Sequence, residues 1–412
     1  MGEPDVITVI GLDGSPLSEQ ARDALAAATL LVGGRRQLDC VHAGRSARRV
    51  VLGPVAPALA ALAGHDGDAV VLASGDPGFF GIVRALRSGG FSCTVLPAVS
   101  SVAMAFARSG MSWDDAMVVS AHGRDLRHAV NVCRAHPKVA VLTGPGAGPA
   151  ELGPALAGWD RRLVVAENLG SASERITDCQ CADAAYQDWH EPNVVLVLAG
   201  ARDADAGPGW SWPAAPVVGG WALPEEDFDS RDAVMTKSEV RALALARLAP
   251  GPGTLIWDVG AGSGSVGVEC ARFGAAVIAV ERAEVRCRRI RDNARRHGVD
   301  VRVIQGEATG MLDGLPDPDA VFVGGGGPAV VSAVAARKPA RIVAAVAAIE
   351  RAGPVYGALE KAGYSVEGAL LQASRISPLP GGVHRLAAVN PVLLLWTAPR
   401  QVAAGPAERG GA

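Results

Sequence analysis

Short apolar runs recur from the start of the chain to about Gly200, separated by helix-like stretches and glycine-rich turns. They read VITVIGL, DAVVLASGDPG, CTVLPAV, AMVVSAHG, KVAVLTGPG, RLVVAENLG and NVVLVLAG. Runs of this length, rich in β-branched residues and bounded by Gly or Pro, predict buried strands alternating with helices, an α/β architecture. A second series begins near Met235. SEVRALALARLA predicts a helix with Val240, Leu243 and Leu248 on or near one face, ended by Pro250 and Gly251. TLIWDVG, AVIAVE, VRVIQGE, DAVFVGG and PVLLLW supply further strands, and YSVEGALLQASR with HRLAAVNPVLLLW reads as two paired strands closing a sheet. Between the two series the periodicity stops. Pro208, Pro213, Pro216 and Pro224 mark a linker, and Trp210, Trp212 and Trp221 within it predict that it packs on a surface. The pattern divides the chain into a domain over 1–203, a linker over 204–232, a second domain over 233–400 and a flexible Ala/Gly-rich tail over 401–412.

Composition narrows this picture. A chain of 412 residues favours more than one domain, and 49% hydrophobic residues give each half enough to bury a core. The formal charge of −3 provides no basic field of the kind that nucleic-acid proteins use. The seven cysteines are dispersed and form no CxxC, so they read as reduced thiols packed as small core residues rather than as a zinc site or disulfide framework. The start shows no basic segment followed by an apolar one, and no apolar run is long enough to span a bilayer. The expectation is a soluble cytoplasmic protein with neither membrane nor nucleic acid as partner.

Candidate chemistry concentrates at TLIWDVGAGSGSVG, where a strand ends in Asp258 and Gly260, Gly262 and Gly264 follow at alternate positions. Strand, glycine turn and helix in that order bring bare backbone to a ligand at a helix N-terminus. Two fingerprints overlap. Gly262, Gly264 and Gly267 satisfy the dinucleotide pattern GxGxxG, which would make the chain an NAD-dependent oxidoreductase. Asp258, Gly260, Gly262 and Gly264 satisfy DxGxGxG, the first motif of class I S-adenosylmethionine-dependent methyltransferases. Glu281 closes the next strand, where either cofactor places an acid on ribose. Gln305-Gly306-Glu307 resembles the turn that cradles adenine in the methyltransferases, and methyl transfer is the better fit to the set.

The blocks MTKSEVRALAL, WDVGAGSGSVGVECAR and DAVFVGGGG resemble the C-terminal domain of the precorrin-6Y C5,15-methyltransferases (decarboxylating), a family of cobalamin biosynthesis, from about Pro224 to Thr397. The first half resembles the tetrapyrrole methylases in a strand and glycine turn at Gly11 and Leu12, a GDP loop at Gly75, Asp76 and Pro77, and a serine turn at Ser100 and Ser101. The opening turn reads Leu12-Asp13-Gly14-Ser15 where GPGD is usual. SAHGRD and VVAENLGSASERI also resemble the branch acting on precorrin-6Y. The resemblance implies an N-terminal two-lobed tetrapyrrole methylase fold (class III) fused to a Rossmann-like class I methyltransferase fold. It implies S-adenosylmethionine at two sites, one per domain. In the first half the contacts would be Gly11, Leu12, Gly75, Asp76, Pro77, Ser100 and Ser101. In the second they would be Thr236, Asp258, Gly260, Ala261, Gly262, Gly264 and Glu281, with adenine near Glu307.

The implied reaction is methylation of precorrin-6Y at carbons 5 and 15 with loss of an acetate carboxyl as carbon dioxide, giving precorrin-8X. One methylation belongs to each half, decarboxylation to the C-terminal one, and no metal is required. Lys237 and His122 are expected to be the catalytic residues, and neither is assigned as a general base. A substrate with many carboxylates calls for cationic anchors; the candidates are Arg124, Arg241 and Arg375, with Arg175, His384 and Arg385 behind them. Both component families imply a homo-oligomer. The other readings are an RNA methyltransferase, which needs a basic face, and a non-catalytic cofactor- or corrinoid-binding scaffold.

Overall fold

The computed structural model describes residues 7–44, 46–200, 220–230 and 235–398. The chain forms two compact units, one of Met1–Arg124 and Lys138–Trp212, the other of Asp125–Pro137 and Pro213–Ala412. The helix Leu126–Ala135 therefore groups with the second unit, although the strand pattern sets it inside the first. Trp210, Trp212, most of the linker and the tail over 401–412 lie outside the described residues.

The first unit holds two five-stranded sheets. Strands β1 (Ile7–Leu12), β2 (Leu30–Gly33), β3 (Arg48–Val51), β4 (Ala69–Ser74) and β5 (Cys93–Leu96) pair in the order β3-β2-β4-β1-β5, all parallel. β2 is buried throughout, as expected of an inner parallel strand covered on both faces. Its neighbours pack two apolar layers, Val9, Val32, Val71 and Leu86 on one side and Ile10, Leu25, Leu31 and Leu72 on the other. Strands β6 (Met117–Ser120), β7 (Lys138–Leu142), β8 (Arg161–Glu167), β9 (Arg175–Gln180) and β10 (Asn193–Ala199) form the second sheet, in the order β6-β7-β10-β8-β9. Only β6 and β7 run parallel in it.

The second unit holds β11 (Leu255–Val259), β12 (Ala276–Glu281), β13 (Arg302–Gln305), β14 (Ala320–Val323), β15 (Arg341–Val346), β16 (Val366–Leu371), β17 (Ser374–Pro378), β18 (His384–Ala388) and β19 (Val392–Thr397). Seven of these form one sheet ordered β13-β12-β11-β14-β15-β19-β16; the first five are parallel, and β19 is antiparallel to both β15 and β16. Every residue of β11 and β12 is buried, which is why both read as continuous apolar runs. β16 and β19 are the two closing strands that the sequence pairs; β17 and β18 separate from them as a two-stranded hairpin. The helix Ser238–Leu248 buries Val240, Arg241, Ala244, Leu245 and Leu248, so a charged residue lies on its inner face. All seven cysteines are free, and Cys133, Cys181, Cys270 and Cys287 are buried as small core residues.

Strand order reverses between β11 and β14, and in open parallel sheets ligands collect outside the strand C-termini at such a switch point. The glycine turn after Asp258 lies there.

Candidate functional site

In the second unit the turn after β11 places Gly260, Gly262 and Gly264 at φ of 71°, 59° and 76°, left-handed backbone that favours glycine. A Cβ on Gly260 would stand 2.9 Å from the Gly325 nitrogen, and one on Gly264 would stand 2.8 Å from Ile290. Bare backbone is therefore required for the turn to pass the loop after β14 and the helix Glu284–Arg296. The Gly260 and Ala261 amides donate to the Val280 carbonyl at 2.9 and 3.3 Å, tying the turn to β12.

Two carboxylates face this turn. Glu281 is buried and accepts from Gly262 N at 3.0 Å and from Ala283 N at 3.0 Å, which braces the turn. Asp258 is fully buried; Oδ2 accepts from Gly267 N at 2.9 Å, whereas Oδ1 has no partner among the described residues. Burial, with the charge of Glu281 adding to it and the Gly267 hydrogen bond opposing, pushes the Asp258 carboxyl up to about 7. A buried carboxylate oxygen without a donor is costly unless a ligand completes it. The site thus fits a cofactor with a cationic group. Glu307 begins the turn after β13 and is exposed, 3.9 Å from Arg282, while Gly306 N donates to the Glu281 carbonyl.

The segment before the helix Ser238–Leu248 is held by a buried ion pair. Arg241 and Glu269 are both fully buried; Arg241 Nε donates to Glu269, Nη1 to the Thr236 carbonyl at 2.7 Å and Nη2 to the Leu223 carbonyl. The guanidinium also lies 4.8 Å from the centre of the Phe228 ring. Glu269 in turn accepts from the amides of Ala222 at 2.6 Å and Leu223 at 3.0 Å. The expectation of a substrate anchor at Arg241 is corrected here, because the side chain is fully buried and each of its three nitrogens already donates to a partner within the unit. Residues 220–228, which the sequence assigns to the linker, pack within this unit.

Arg375, a half-buried residue, is also paired within the unit. It pairs bidentately with Glu225 and with Glu239, at 2.7 Å to the latter, and Ser238 Oγ accepts at 3.2 Å. These bonds hold Glu225 well below the usual carboxylate range, at about 2. Lys237 precedes the helix, half-buried, and its ammonium has no hydrogen bond or ion pair among the described residues. Thr236 contributes its carbonyl to the Arg241 network.

In the first unit the end of β1 meets the GDP loop and the serine turn. A Cβ on Gly11 would collide with the Gly75 carbonyl and stand 2.7 Å from Ala98 N; Gly75, at φ 60°, packs against Val99, Ser100 and Ser101. Gly75 N donates to the Leu12 carbonyl at 2.7 Å, Asp76 Oδ1 accepts from Gly78 N at 2.8 Å, and Pro77 follows. Ser100 caps the helix Ser101–Arg108, its Oγ accepting from Ala103 N at 3.1 Å. The structure therefore brings Gly11, Leu12, Gly75, Asp76, Pro77, Ser100 and Ser101 together. Beside them is a cavity of about 390 Å³ lined by Gly11, Leu12, Asp13, Ser18, Ala98 and Val99, among others.

Asp13 organises that mouth. Its Oδ1 accepts from Ser15 N at 2.9 Å and Ser15 Oγ at 2.5 Å, and its Oδ2 from Val99 N at 3.0 Å. Partial burial pulls its pKa up, but these donors outweigh it and the carboxyl sits below its ordinary value. Gly14 faces Gly170 so closely that a Cβ on either would strike the other segment's backbone, which fixes the loop of VVAENLG against the first turn. The part of Asp13 as a bridge between loops was not legible in the motifs; its local signal was the Asp-x-Ser spacing of an Asx turn. Nor was that of Glu269, whose signal was a lone acid on the apolar face of VGVECAR.

The remaining candidates lie elsewhere in their units. His122 and Arg124 follow β6 and are exposed, with His122 Nδ1 3.2 Å from the Thr143 carbonyl at the end of β7. Arg175 is bound to the buried Glu167 at 2.5 and 3.0 Å, an internal pair rather than an anchor. His384 and Arg385 are exposed on β18.

Two family models match the chain. Residues 10–185 match Tetrapyrrole (Corrin/Porphyrin) Methylases and residues 227–398 match Precorrin methyltransferase domain. Over 338 residues the chain is 37% identical to a precorrin-6Y C(5,15)-methyltransferase (decarboxylating) of Sinorhizobium sp, covering 78% of each chain. Two shorter relatives match about half of it. A probable cobalt-precorrin-6B C(15)-methyltransferase (decarboxylating) of Pyrobaculum calidifontis is 35% identical over 195 residues, 45% of this chain and 97% of that protein. A cobalt-precorrin-7 C(5)-methyltransferase of Salmonella typhimurium is 31% identical over 204 residues, 47% of this chain and 98% of that protein.

Proposed function

The chain belongs to the precorrin-6Y C5,15-methyltransferase (decarboxylating) family, a family of C-methylating enzymes of cobalamin biosynthesis, and from that membership we propose how its two units divide the work. Each unit binds one S-adenosylmethionine and performs one methylation of precorrin-6Y. The C-terminal unit acts at carbon 15 and releases the acetate carboxyl as carbon dioxide; the N-terminal unit acts at carbon 5. The names of the two half-length relatives, one a decarboxylating C15 enzyme and the other a C5 enzyme, support this division. The observation that carries the two-site reading is the pair of strand-end sites. One is the Asp258 turn with its unpartnered oxygen, the other the cavity at Gly11 and Asp13.

S-adenosylmethionine, when bound, supplies a methyl group on a positively charged sulfur, so transfer is an in-line displacement that needs alignment and exclusion of water. At the second site Asp258 Oδ1, which has no other partner among the described residues, would accept from the ammonium group of the cofactor's amino-acid end. Glu281 keeps acceptor capacity for ribose hydroxyls beyond its two backbone donors. Glu307 lies on the adenine side. Thr236, held by Arg241, closes the turn, and the free ammonium of Lys237 holds the acetate carboxylate that leaves. At the first site the backbone of Gly11, Leu12, Gly75 and Ser101 lines the cofactor, with Asp76, Pro77 and Ser100 fixing the loops and His122 facing the substrate. No helix of the described residues is long and apolar enough to cross a membrane; a cytoplasmic homo-oligomer belongs to the same reading.

Purified protein incubated with S-adenosylmethionine and precorrin-6Y is expected to add two methyl groups and lose one carbon dioxide, read by mass spectrometry. An unchanged substrate mass would refute the reading. Calorimetry with S-adenosylhomocysteine is expected to find two sites per chain, and one site would remove the division of labour.

A further inference from the structure

Of the arginines singled out for a carboxylate-rich substrate, Arg175, Arg241 and Arg375 are committed to internal pairs, and other cations of the first unit are placed differently. There Arg108, Arg162 and Arg175 each have a carboxylate within 2.6 Å. Arg84 and Arg87 differ. Both are exposed, both lie on the helix Val83–Ser88 three residues apart and hence on one face, and neither side chain makes an ion pair or hydrogen bond among the described residues. With Gly78, Val83 and Ser88 they line an open recess of about 440 Å³. Gly78 belongs to the GDP loop, where its amide is bound to Asp76. Two neighbouring guanidinium groups without a counter-charge repel each other and gain from a ligand that brings carboxylates.

A second observation comes from the same loop. Phe80 has φ 54°, a left-handed backbone that a bulky residue adopts only when its surroundings force it. The turn is closed on itself, since a Cβ on Gly81 would collide with the Pro77 carbonyl. Phe79 takes the inward position and packs on a core of the unit; Phe80 meets it edge-on at 5.0 Å and keeps 47% of its surface exposed. The contact with Phe79 covers only part of the ring, and the backbone gains nothing from a bulky residue at this φ. A ligand with a broad apolar face would cover the rest of the ring.

We propose that the segment Gly78–Ser88 grips the substrate of the first unit, with the Phe80 ring against the face of a large conjugated macrocycle and Arg84 and Arg87 on carboxylates at its rim. The inference rests on the reading that this unit methylates a tetrapyrrole, and it adds the residues that recognise that ligand class as distinct from those that line the cofactor.

The test pairs the double variant R84Q/R87Q with F80G. With precorrin-6Y as substrate, R84Q/R87Q is expected to raise KM for the methylation at carbon 5 by about tenfold or more for the loss of charge-assisted pairs. S-adenosylhomocysteine affinity and the methylation at carbon 15 stay as in the wild type. F80G gives the exposed position a residue that suits its left-handed backbone. It is expected to raise the same KM several-fold without lowering the melting temperature, an outcome that a purely structural Phe80 would not produce. Unchanged KM in both variants overturns the proposal, as does a loss of S-adenosylhomocysteine affinity equal to the rise in KM. Should the wild type fail to methylate precorrin-6Y, the reaction assigned above fails, and the grip is then tested by fluorescence binding of uroporphyrin. Weaker binding by both variants sustains it; equal binding, or no binding by the wild type, overturns it.

Discussion

Each unit places an aspartate at the end of its first parallel strand and turns there on glycines, yet the two aspartates are driven in opposite directions. Asp258 is sealed from water with one backbone donor, and burial pushes it up to about 7. Asp13 is only partly covered and accepts three hydrogen bonds, from Ser15 twice and from Val99, which hold it below its ordinary value. A glycine turn at a strand end therefore does not decide the chemistry by itself. The balance between burial and donors does. In the first unit the carboxylate is a completed brace that fixes two loops around a cavity. In the second it is an incomplete one whose remaining oxygen has no partner among the described residues.

The largest effect is expected beneath the second site. Replacing Arg241 with Met leaves Glu269 as an unpaired buried charge, a loss of about 3–5 kcal/mol. Hydrogen exchange is expected to accelerate across the helices Ser238–Leu248 and Ser265–Arg272 while β1 to β5 keep their protection; equal acceleration in both units would break the comparison. Next come the turns themselves. Gly260→Val and Gly11→Val each add a side chain where backbone stands within 3 Å. Each is expected to weaken S-adenosylhomocysteine at its own site by about a hundredfold or more and to spare the other. Calorimetry of the two variants separates the sites, and loss of both in either variant contradicts their independence.

The smallest effect concerns pH. Only the ionised form of Asp258 attracts the ammonium that S-adenosylhomocysteine shares with the methyl donor, so affinity for it at the second site is expected to rise by up to about tenfold between pH 6 and 8. The first site, with Asp13 already ionised, stays flat. Stability moves the opposite way. A carboxyl whose folded value lies above its unfolded one gives stability that is fully present below the ordinary carboxylate range and is lost as pH climbs through about 7. Urea titrations of the wild type against D258N measure that loss, because the amide has no proton to lose. A variant that shares the wild-type slope would remove Asp258 from the explanation.

Much of this was legible because it is local. Alternate glycines after Asp258, Glu281 closing the next strand and the order GDP loop, serine turn all sit within short windows, and backbone geometry follows from them directly. Continuous apolar runs announced the parallel strands. The partners of charged residues were not legible in this way. Arg375 finds Glu225 across 150 positions and Arg241 finds Glu269 across 28, distances over which the sequence carries no register for side chains. An arginine in a family-like block therefore looked the same whether it served a substrate or a buried acid. The helix Leu126–Ala135 was hidden for a related reason: its amphipathic pattern says that it packs, but not on which sheet.

The position of β19 has a consequence in time. Among the described strands of the second unit it is the last to emerge, yet it lies inside the sheet, between β15 and β16. Both sheets of the first unit are complete in sequence by Ala199, whereas the large sheet of the second stays split until Thr397 has left the ribosome. During synthesis the first unit has its full set of strands while β15 and β16 still expose unpaired edges, the form in which strands recruit unwanted neighbours. A chain cut short before Val392 would keep both sheets of the first unit whole and leave the second with a pair of open edges.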